Sequence, residues 1–144
     1  ARTILYAVLI VGIALFMVWH LAVRSSIDVS ALHDRNPVYV LLSDGSIRNA
    51  YTVRVANKAL EERTFTLSVD GLPGVAVEAV GAENLDPDTL SVTVGPTRTR
   101  ELRVLLTRTP APEAPENSEI AFVLETADGA ETALARDHFI KPAR

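Results

Sequence analysis

An unbroken apolar run occupies residues 4–23 at the start of the chain, with Arg2 before it and Arg24 after it. At about 1.5 Å rise per residue, a helix over this run measures about 30 Å, which matches the hydrocarbon thickness of a bilayer. A core helix of a soluble protein carries polar residues at helical spacing, and this run has none before His20. The sequence therefore predicts one transmembrane helix over residues 1–24 and a separate head over residues 25–144.

A cleaved secretory signal is the alternative interpretation of such a run. Its apolar region is shorter and ends in an alanine-x-alanine-like cleavage site, whereas Val23 is followed by Arg24-Ser25-Ser26. We therefore expect a retained span, with the lipid bilayer as a partner. Arg2 and Arg24 flank the span symmetrically, so charge alone does not decide which side of the membrane holds the head. The chain begins at Ala1 and not at Met, which is compatible with origin in a longer protein.

The composition excludes several functional classes. The formal net charge is -4 and the sequence has no cluster of Lys and Arg, so we expect no nucleic-acid partner, because binding phosphates needs such a cluster. The chain also has no cysteine. Disulfides, thiolate metal sites, iron–sulfur ligation by cysteine and thiol nucleophiles are therefore excluded within it.

The head has the pattern of an all-β domain. Apolar and polar residues mostly alternate, and Asp44-Gly45, Gly71-Leu72-Pro73-Gly74 and Asp128-Gly129 provide turns. Strands are predicted over residues 27–32, 47–56, 64–69, 75–80, 90–94, 100–107, 119–126 and 131–139. The final two form a predicted hairpin, and the proline-rich residues 108–117, with Pro110, Pro112 and Pro115, form a predicted loop. With no helical stretch long enough for a crossover, the pattern favours an immunoglobulin-like antiparallel β-sandwich over a parallel α/β sheet.

Residues that could carry chemistry are few. His33 lies beside Asp34 and His138 beside Asp137, but adjacent residues of a strand face opposite sides, so we expect these histidines at the surface or in loops and no metal site. Ser43 and Ser46 flank a turn without a Gly-x-Ser-x-Gly elbow. The sequence therefore predicts neither catalytic nor cofactor-binding residues.

The segment from Asp34 to Tyr51 is richer in turn-forming and bidentate groups than a plain sheet edge requires. Asn36-Pro37 predicts extended chain, and the planar Arg35 and Arg48 side chains suit carboxylates or backbone carbonyls. Two interpretations stay open. A structural latch that ties the first strands to the membrane-proximal end is favoured over a partner-binding patch. The candidate residues are Asp34, Arg35, Asn36, Pro37, Tyr39, Asp44, Arg48 and Asn49.

In this segment the chain resembles the cytochrome c oxidase accessory proteins of the FixG, CcoG and RdxA type. The resemblance is carried by DRNPVYV at residues 34–40, SDGSIRNAY at 43–51, Asn57-Lys58, and RTFTLSVDGLPG at 63–74. It implies that the chain is the last helix and the periplasmic immunoglobulin-like domain of a larger protein in the bacterial inner membrane. In that larger protein, further helices and a ferredoxin-like part with 4Fe-4S clusters are implied.

The same resemblance implies a function in assembling cbb3-type oxidases, with copper reduction performed by the cluster-bearing part. No cluster ligand can be carried over onto this cysteine-free chain. We expect a non-catalytic module without a cofactor of its own, which docks or positions the parent protein against oxidase subunits or copper chaperones. The alternative is an independent single-pass binding or adhesion domain, which would display an exposed aromatic platform.

Overall fold

The computed structural model describes residues 1–111 and 113–142, so Pro112 of the predicted loop lies outside the described residues. Helix α1 spans Arg2–Ala22, and none of its residues is buried. It is long and apolar enough to cross a membrane, with a mean hydropathy of 2.4. The apolar run therefore forms the helix that its length and composition predict.

The head contains ten strands in the described part of the chain. They are β1 (Ile27–His33), β2 (Val40–Leu41), β3 (Ile47–Asn57), β4 (Arg63–Asp70), β5 (Val75–Ala79), β6 (Glu83–Asp86), β7 (Thr89–Val94), β8 (Arg98–Arg108), β9 (Asn117–Thr126) and β10 (Thr132–Ile140). All eight predicted strands overlap one of these, which confirms the period-two interpretation of the head.

Two antiparallel sheets pack face to face. The first, which we name the β3 sheet, has the order β1-β3-β8-β5, with β2 also paired to β3. The second, the β4 sheet, has the order β10-β9-β4-β7-β6. β9 and β10 pair as the predicted antiparallel hairpin. The predicted antiparallel β-sandwich is confirmed.

The sequence pattern missed strands β2 and β6. β2 has only two residues, both exposed, and all four residues of β6 are exposed. Neither strand contributes alternating buried residues, and that alternation is the signal by which a strand is recognised from sequence. Their pairing depends on neighbouring strands already in place.

The core lies between the sheets. Alternate residues of β3 and β4 are buried, as the period-two pattern requires. Tyr51 and Phe122 meet edge to face across the core, with ring centroids 5.2 Å apart, the geometry that aromatic pairs prefer. Phe65 is also fully buried.

Strand register defines two ends of the head. At the helix-proximal end, Ile27 pairs with Asn57, which pairs with Arg98. β1 runs away from α1 over seven residues, or about 20 Å at a strand's rise per residue. His33 therefore lies at the helix-distal end, beside its partner Tyr51.

Candidate docking surface

The candidate segment lies at the helix-distal end of the head. Asp34 follows the last residue of β1, and Arg48 and Asn49 lie near the start of β3. The expected tie to the membrane-proximal end is therefore wrong. β1 carries the chain to the opposite end before the segment begins.

A different group of residues fastens the helix-proximal end. The Glu131 carboxylate accepts hydrogen bonds from the Ser26 backbone N–H (2.8 Å) and from the Ser26 hydroxyl. Arg63 Nη1 lies 3.0 Å from Glu131 Oε2 and 2.9 Å from Ser26 Oγ. The hydrogen bonds from Ser26, assisted by Arg63, hold the pKa of Glu131 below its ordinary value. The hydrogen bonds of Ser26 with Glu131 and Arg63 join the link after α1 to the body of the sandwich.

Three of the candidate residues line one small pocket on the outer face of the β3 sheet, which we name the Arg48 pocket. Its volume is about 100 Å³, and its lining residues are Asp34, Pro37, Val40, Arg48, Ala50, Arg103 and Leu105. The strand register explains why these residues are neighbours, because Val40 pairs with Arg48 and Ala50 pairs with Leu105. Strands β2, β3 and β8 thus bring distant parts of the sequence to one place.

The charges around the Arg48 pocket are partly paired. Arg103 Nη2 donates to Asp34 Oδ2 at 3.1 Å, and Arg48 Nε donates to Thr107 Oγ1 at 3.1 Å. The terminal nitrogens of Arg48 make no hydrogen bond with any residue in 1–111 or 113–142. Among the lining residues two guanidinium groups face one carboxylate, and Asp44, outside the lining, is close enough for the charge of Arg48 to lower its pKa.

Exposed aliphatic side chains border the pocket. Leu32 is 65% exposed and Val40 is 43% exposed. Leu32 pairs with Thr52, which pairs in turn with Arg103, so the leucine lies on the same outer face. An apolar and cationic surface of this kind suits a protein partner with apolar and acidic groups.

The other candidate residues divide between the surface and the core. Arg35 and Asn36 are exposed and make no hydrogen bond or ion pair within the described chain. Tyr39 is half-buried and packs against the core. The predicted extended conformation at Asn36-Pro37 is wrong, because these residues form a turn around a cis peptide bond. β1 and β2 run in the same direction along one edge of β3, because β8 occupies the other edge. The turn accommodates the residues between His33, which pairs with Tyr51, and Val40, which pairs with Arg48.

Asp44 has a local structural function. Its Oδ1 accepts from the Ser46 backbone N–H at 2.9 Å, and its Oδ2 accepts from the Ser46 hydroxyl at 3.0 Å. These bonds, more than the charge of Arg48, hold the pKa of Asp44 below its ordinary value. With Gly45 at a φ of 83°, the predicted turn at Asp44-Gly45 is confirmed.

Asn49 joins the two sheets. It is fully buried, its Nδ2 donates to the Ile140 carbonyl at 2.9 Å, and its Oδ1 accepts from the Ile140 N–H at 2.9 Å. Nearby, the Tyr51 hydroxyl donates to the His138 carbonyl at 2.7 Å, and burial raises the pKa of Tyr51. Both side chains fasten β3 to the edge strand β10, so Asn49 is not available to a partner.

The histidines contact Tyr51 in different ways. The His33 ring stacks on the Tyr51 ring with centroids 4.6 Å apart, and its Nε2 lies 2.9 Å from the Val38 carbonyl oxygen. His138 contributes its backbone carbonyl. Among residues 1–111 and 113–142, no group of three or more His, Asp or Glu side chains is placed to hold a metal ion.

Sequence reasoning missed Arg103, Leu105 and Leu32 as parts of this surface. A signal was available for Leu105, because it lies between the buried Val104 and Leu106 and alternation therefore directs it outward. No local pattern indicated that it would lie beside Ala50, which is 55 positions earlier in the sequence.

Comparison with known proteins places the chain in a family. Residues 17–142 match the FixG_C family, described as the "IG-like fold at C-terminal of FixG". The same description assigns FixG to the oxidoreductases by inference and not by experiment. The chain belongs to the FixG C-terminal family. The immunoglobulin-like fold expected from the sequence is thereby confirmed.

Individual relatives agree with this assignment. Protein RdxA of Cereibacter sphaeroides is 40% identical over 120 residues, which cover 83% of this chain and 23% of RdxA. Nitrogen fixation protein FixG of Rhizobium meliloti is 34% identical over 91 residues, covering 63% of this chain and 17% of FixG. The chain thus spans about a quarter or less of these relatives.

A solved structure shares the fold. The FixG-related protein from Vibrio parahaemolyticus superposes with a TM-score of 0.70 at 23% identity, and the match covers 83% of this chain and 100% of that one. The aromatic platform of an adhesion domain is absent from the described part of the FixG-type head. Tyr51, Phe65, Phe122 and Phe139 are buried there, and Tyr39 is half-buried.

Proposed function

We propose that this chain is a membrane-anchored docking module of a FixG-type accessory protein for cbb3-type oxidases. Helix α1 spans the bacterial inner membrane, and the head lies on the periplasmic side. The head binds an oxidase subunit or a copper chaperone and performs no catalysis of its own. Family membership and the apolar, unburied helix support this proposal.

The Arg48 pocket is the observation that carries the proposal. It combines terminal nitrogens of Arg48 that lack a hydrogen-bond partner in the described chain with the exposed Leu32 and Val40. It also lies at the end of the head remote from α1, where a partner can approach without meeting the bilayer. Arginine beside an aliphatic patch is typical of the centre of a binding interface.

Iron–sulfur chemistry does not fit this chain. The 4Fe-4S clusters that the resemblance implies are held by cysteine thiolates, and the chain has none. We assign the clusters, and any copper reduction that they support, to the remaining three quarters or more of the relatives. The contribution of this module is positional.

Photocrosslinking in the native bacterial membrane tests the proposal. A photoreactive residue replaces Leu32, and a matched one replaces Leu134, which is 51% exposed on the opposite sheet. We expect crosslinks to an oxidase subunit or a copper chaperone from position 32 and at least tenfold fewer from position 134. Equal yields from both positions would contradict the assigned surface.

Variants that add negative charge measure the contribution of the Arg48 pocket to binding. Arg48→Glu reverses a charge, and Val40→Asp introduces one. Each should reduce the amount of crosslinked partner recovered from the membrane at least tenfold. Arg136→Glu is the matched control, because Arg136 is 72% exposed on the other sheet. Unchanged recovery with folded Val40→Asp protein would overturn the proposal, as would equal recovery from a protein truncated after Val23.

A further inference from the structure

A second pocket lies where α1 meets the head, at the opposite end from the Arg48 pocket. We name it the proximal pocket. Its volume is about 420 Å³, and it is lined by Leu21, Arg24, Ser25, Ser26 and Lys58. One wall is the end of the apolar helix, and another is the connection that follows β3. A ligand here would touch the helix and the head together.

Two cations give this pocket its chemistry. The Arg24 guanidinium makes no hydrogen bond or ion pair with the described residues. Lys58 Nζ lies 3.8 Å from Asp28 Oδ2, but both side chains are well exposed, at 49% and 65%, so the pair is weak. Arg24 therefore remains free to bind an anion, and Lys58 is only loosely held.

The acidic groups nearest the pocket are Asp28, Glu61, Glu62 and Glu131, and Arg63 pairs with two of them. Glu131 is already paired with Arg63 at 3.0 Å, and Glu61 lies 3.5 Å from the same arginine. The two hydroxyls are engaged within the protein, Ser25 with the Ile27 carbonyl at 3.0 Å and Ser26 with Glu131. Recognition in the pocket thus depends on Arg24 and Lys58.

A leucine is held out from the head beside these cations. Leu60 is 89% exposed at the turn between β3 and β4. Asn57 fixes this turn, since its Nδ2 donates to the Glu61 carbonyl at 2.8 Å and its Oδ1 accepts from the Ala59 N–H at 3.1 Å. Because Asn57 pairs with Ile27, Leu60 projects at the helix-proximal end.

The end of a spanning helix defines where lipid phosphates lie. α1 ends at Ala22, so Arg24 falls just beyond the hydrocarbon, at the depth of the headgroups. Basic residues at this depth attract lipid phosphates, and an exposed aliphatic side chain beside them suits the boundary with the acyl chains. Arg24 and the exposed Leu60 therefore both lie at the end of the head from which α1 extends.

We infer that the proximal pocket binds the phosphodiester of an anionic phospholipid through Arg24 and Lys58, with Leu60 inserted beside it. The head then rests on the bilayer in one orientation, with the Arg48 pocket directed away from the membrane. This inference rests on the membrane-spanning function proposed for α1.

The first test measures the insertion of Leu60. The chain has no cysteine, so Leu60→Cys accepts a single environment-sensitive fluorophore, and Leu32→Cys, at the helix-distal end, provides the control. The full chain is reconstituted into vesicles of phosphatidylglycerol and phosphatidylcholine. We expect a blue-shifted emission and at least threefold weaker quenching by aqueous iodide at position 60 relative to position 32. Identical emission and quenching at the two positions would overturn the inference.

The second test uses native mass spectrometry to measure how much phosphatidylglycerol the intact chain retains. The Arg24→Gln, Lys58→Gln double variant should retain at least fivefold less lipid than wild type. The control is the double variant Arg54→Gln, Arg136→Gln, which removes two exposed cations elsewhere on the head. It should retain as much lipid as the wild type. Equal lipid retention by the two double variants would refute the site.

Two further outcomes are separable. If the chain binds inorganic phosphate but retains no phosphatidylglycerol, the site takes free phosphate and the lipid assignment is wrong. If the chain floats with vesicles while position 60 stays aqueous, the lipid site fails but the span stands. Failure to float would refute the span itself, and the lipid site with it.

Discussion

Replacing Asn49 with alanine should destabilise the head strongly. The amide of Asn49 makes two hydrogen bonds to Ile140, both at 2.9 Å, in a site where Asn49 is fully buried. The substitution removes both bonds and leaves a backbone donor and an acceptor of Ile140 without these partners. A buried polar group that loses its partner costs about 1–3 kcal/mol. Because Ile140 itself is half-buried, water can compensate in part, and we expect a total loss of about 2–4 kcal/mol.

Urea denaturation of the full chain in lipid nanodiscs, followed by far-UV circular dichroism, measures this loss. With an m-value of about 2 kcal/mol/M, the midpoint should fall by about 1–2 M. Asn36→Ala is the matched control, because Asn36 is exposed and makes no hydrogen bond in the described chain. It should change the free energy of unfolding by less than about 0.5 kcal/mol. If Asn49→Ala were equally mild, Asn49 would not hold the sheets together.

Two further predictions concern the stability of the head. Glu131→Gln removes the ion pair with Arg63 and should lower the free energy of unfolding by about 1–2 kcal/mol at neutral pH, since Glu131 is only 28% exposed. The pKa of Glu131 in the folded chain lies below its ordinary value of 4.5, so its contribution is present above that pH and is lost as the pH falls through the folded-state pKa. Urea titrations at several pH values should therefore converge for wild type and variant in acid, and a constant difference would contradict the assigned ion pair. Gly71→Ala should cost at least about 3 kcal/mol, because Gly71 has a φ of 89° and a Cβ there would lie 2.7 Å from the Glu119 carbonyl oxygen. Gly74→Ala, at a φ of 73° with open space around it, should cost only about 1–2 kcal/mol in the same urea-denaturation assay, and equal losses would refute the close contact.

The candidate site shows where sequence reasoning reached its limit. The segment with Asp34, Pro37 and Arg48 was identified from its own residues, and these three do line one pocket. Asn49 was grouped with them because it is adjacent to Arg48 in sequence. In a strand, adjacent side chains face opposite sides, and Asn49 is directed into the core while Arg48 lies on the outer face.

The sequence by itself determined the features that repeat over a few residues. The length of the apolar run predicts α1, and period-two alternation predicts eight strands, because each depends only on local hydropathy and backbone geometry. The weak strands β2 and β6 carry no such alternation.

Only the tertiary structure decided which residues meet. Asn49 and Ile140 are 91 positions apart, and Ser26 and Glu131 are 105 positions apart. The Arg48 pocket likewise needs the register of β2, β3 and β8. Such contacts depend on how strands pair and how the two sheets stack. Alternation fixes the face on which a side chain lies, but it does not specify the neighbouring strand, because many pairings bury the same apolar face equally well.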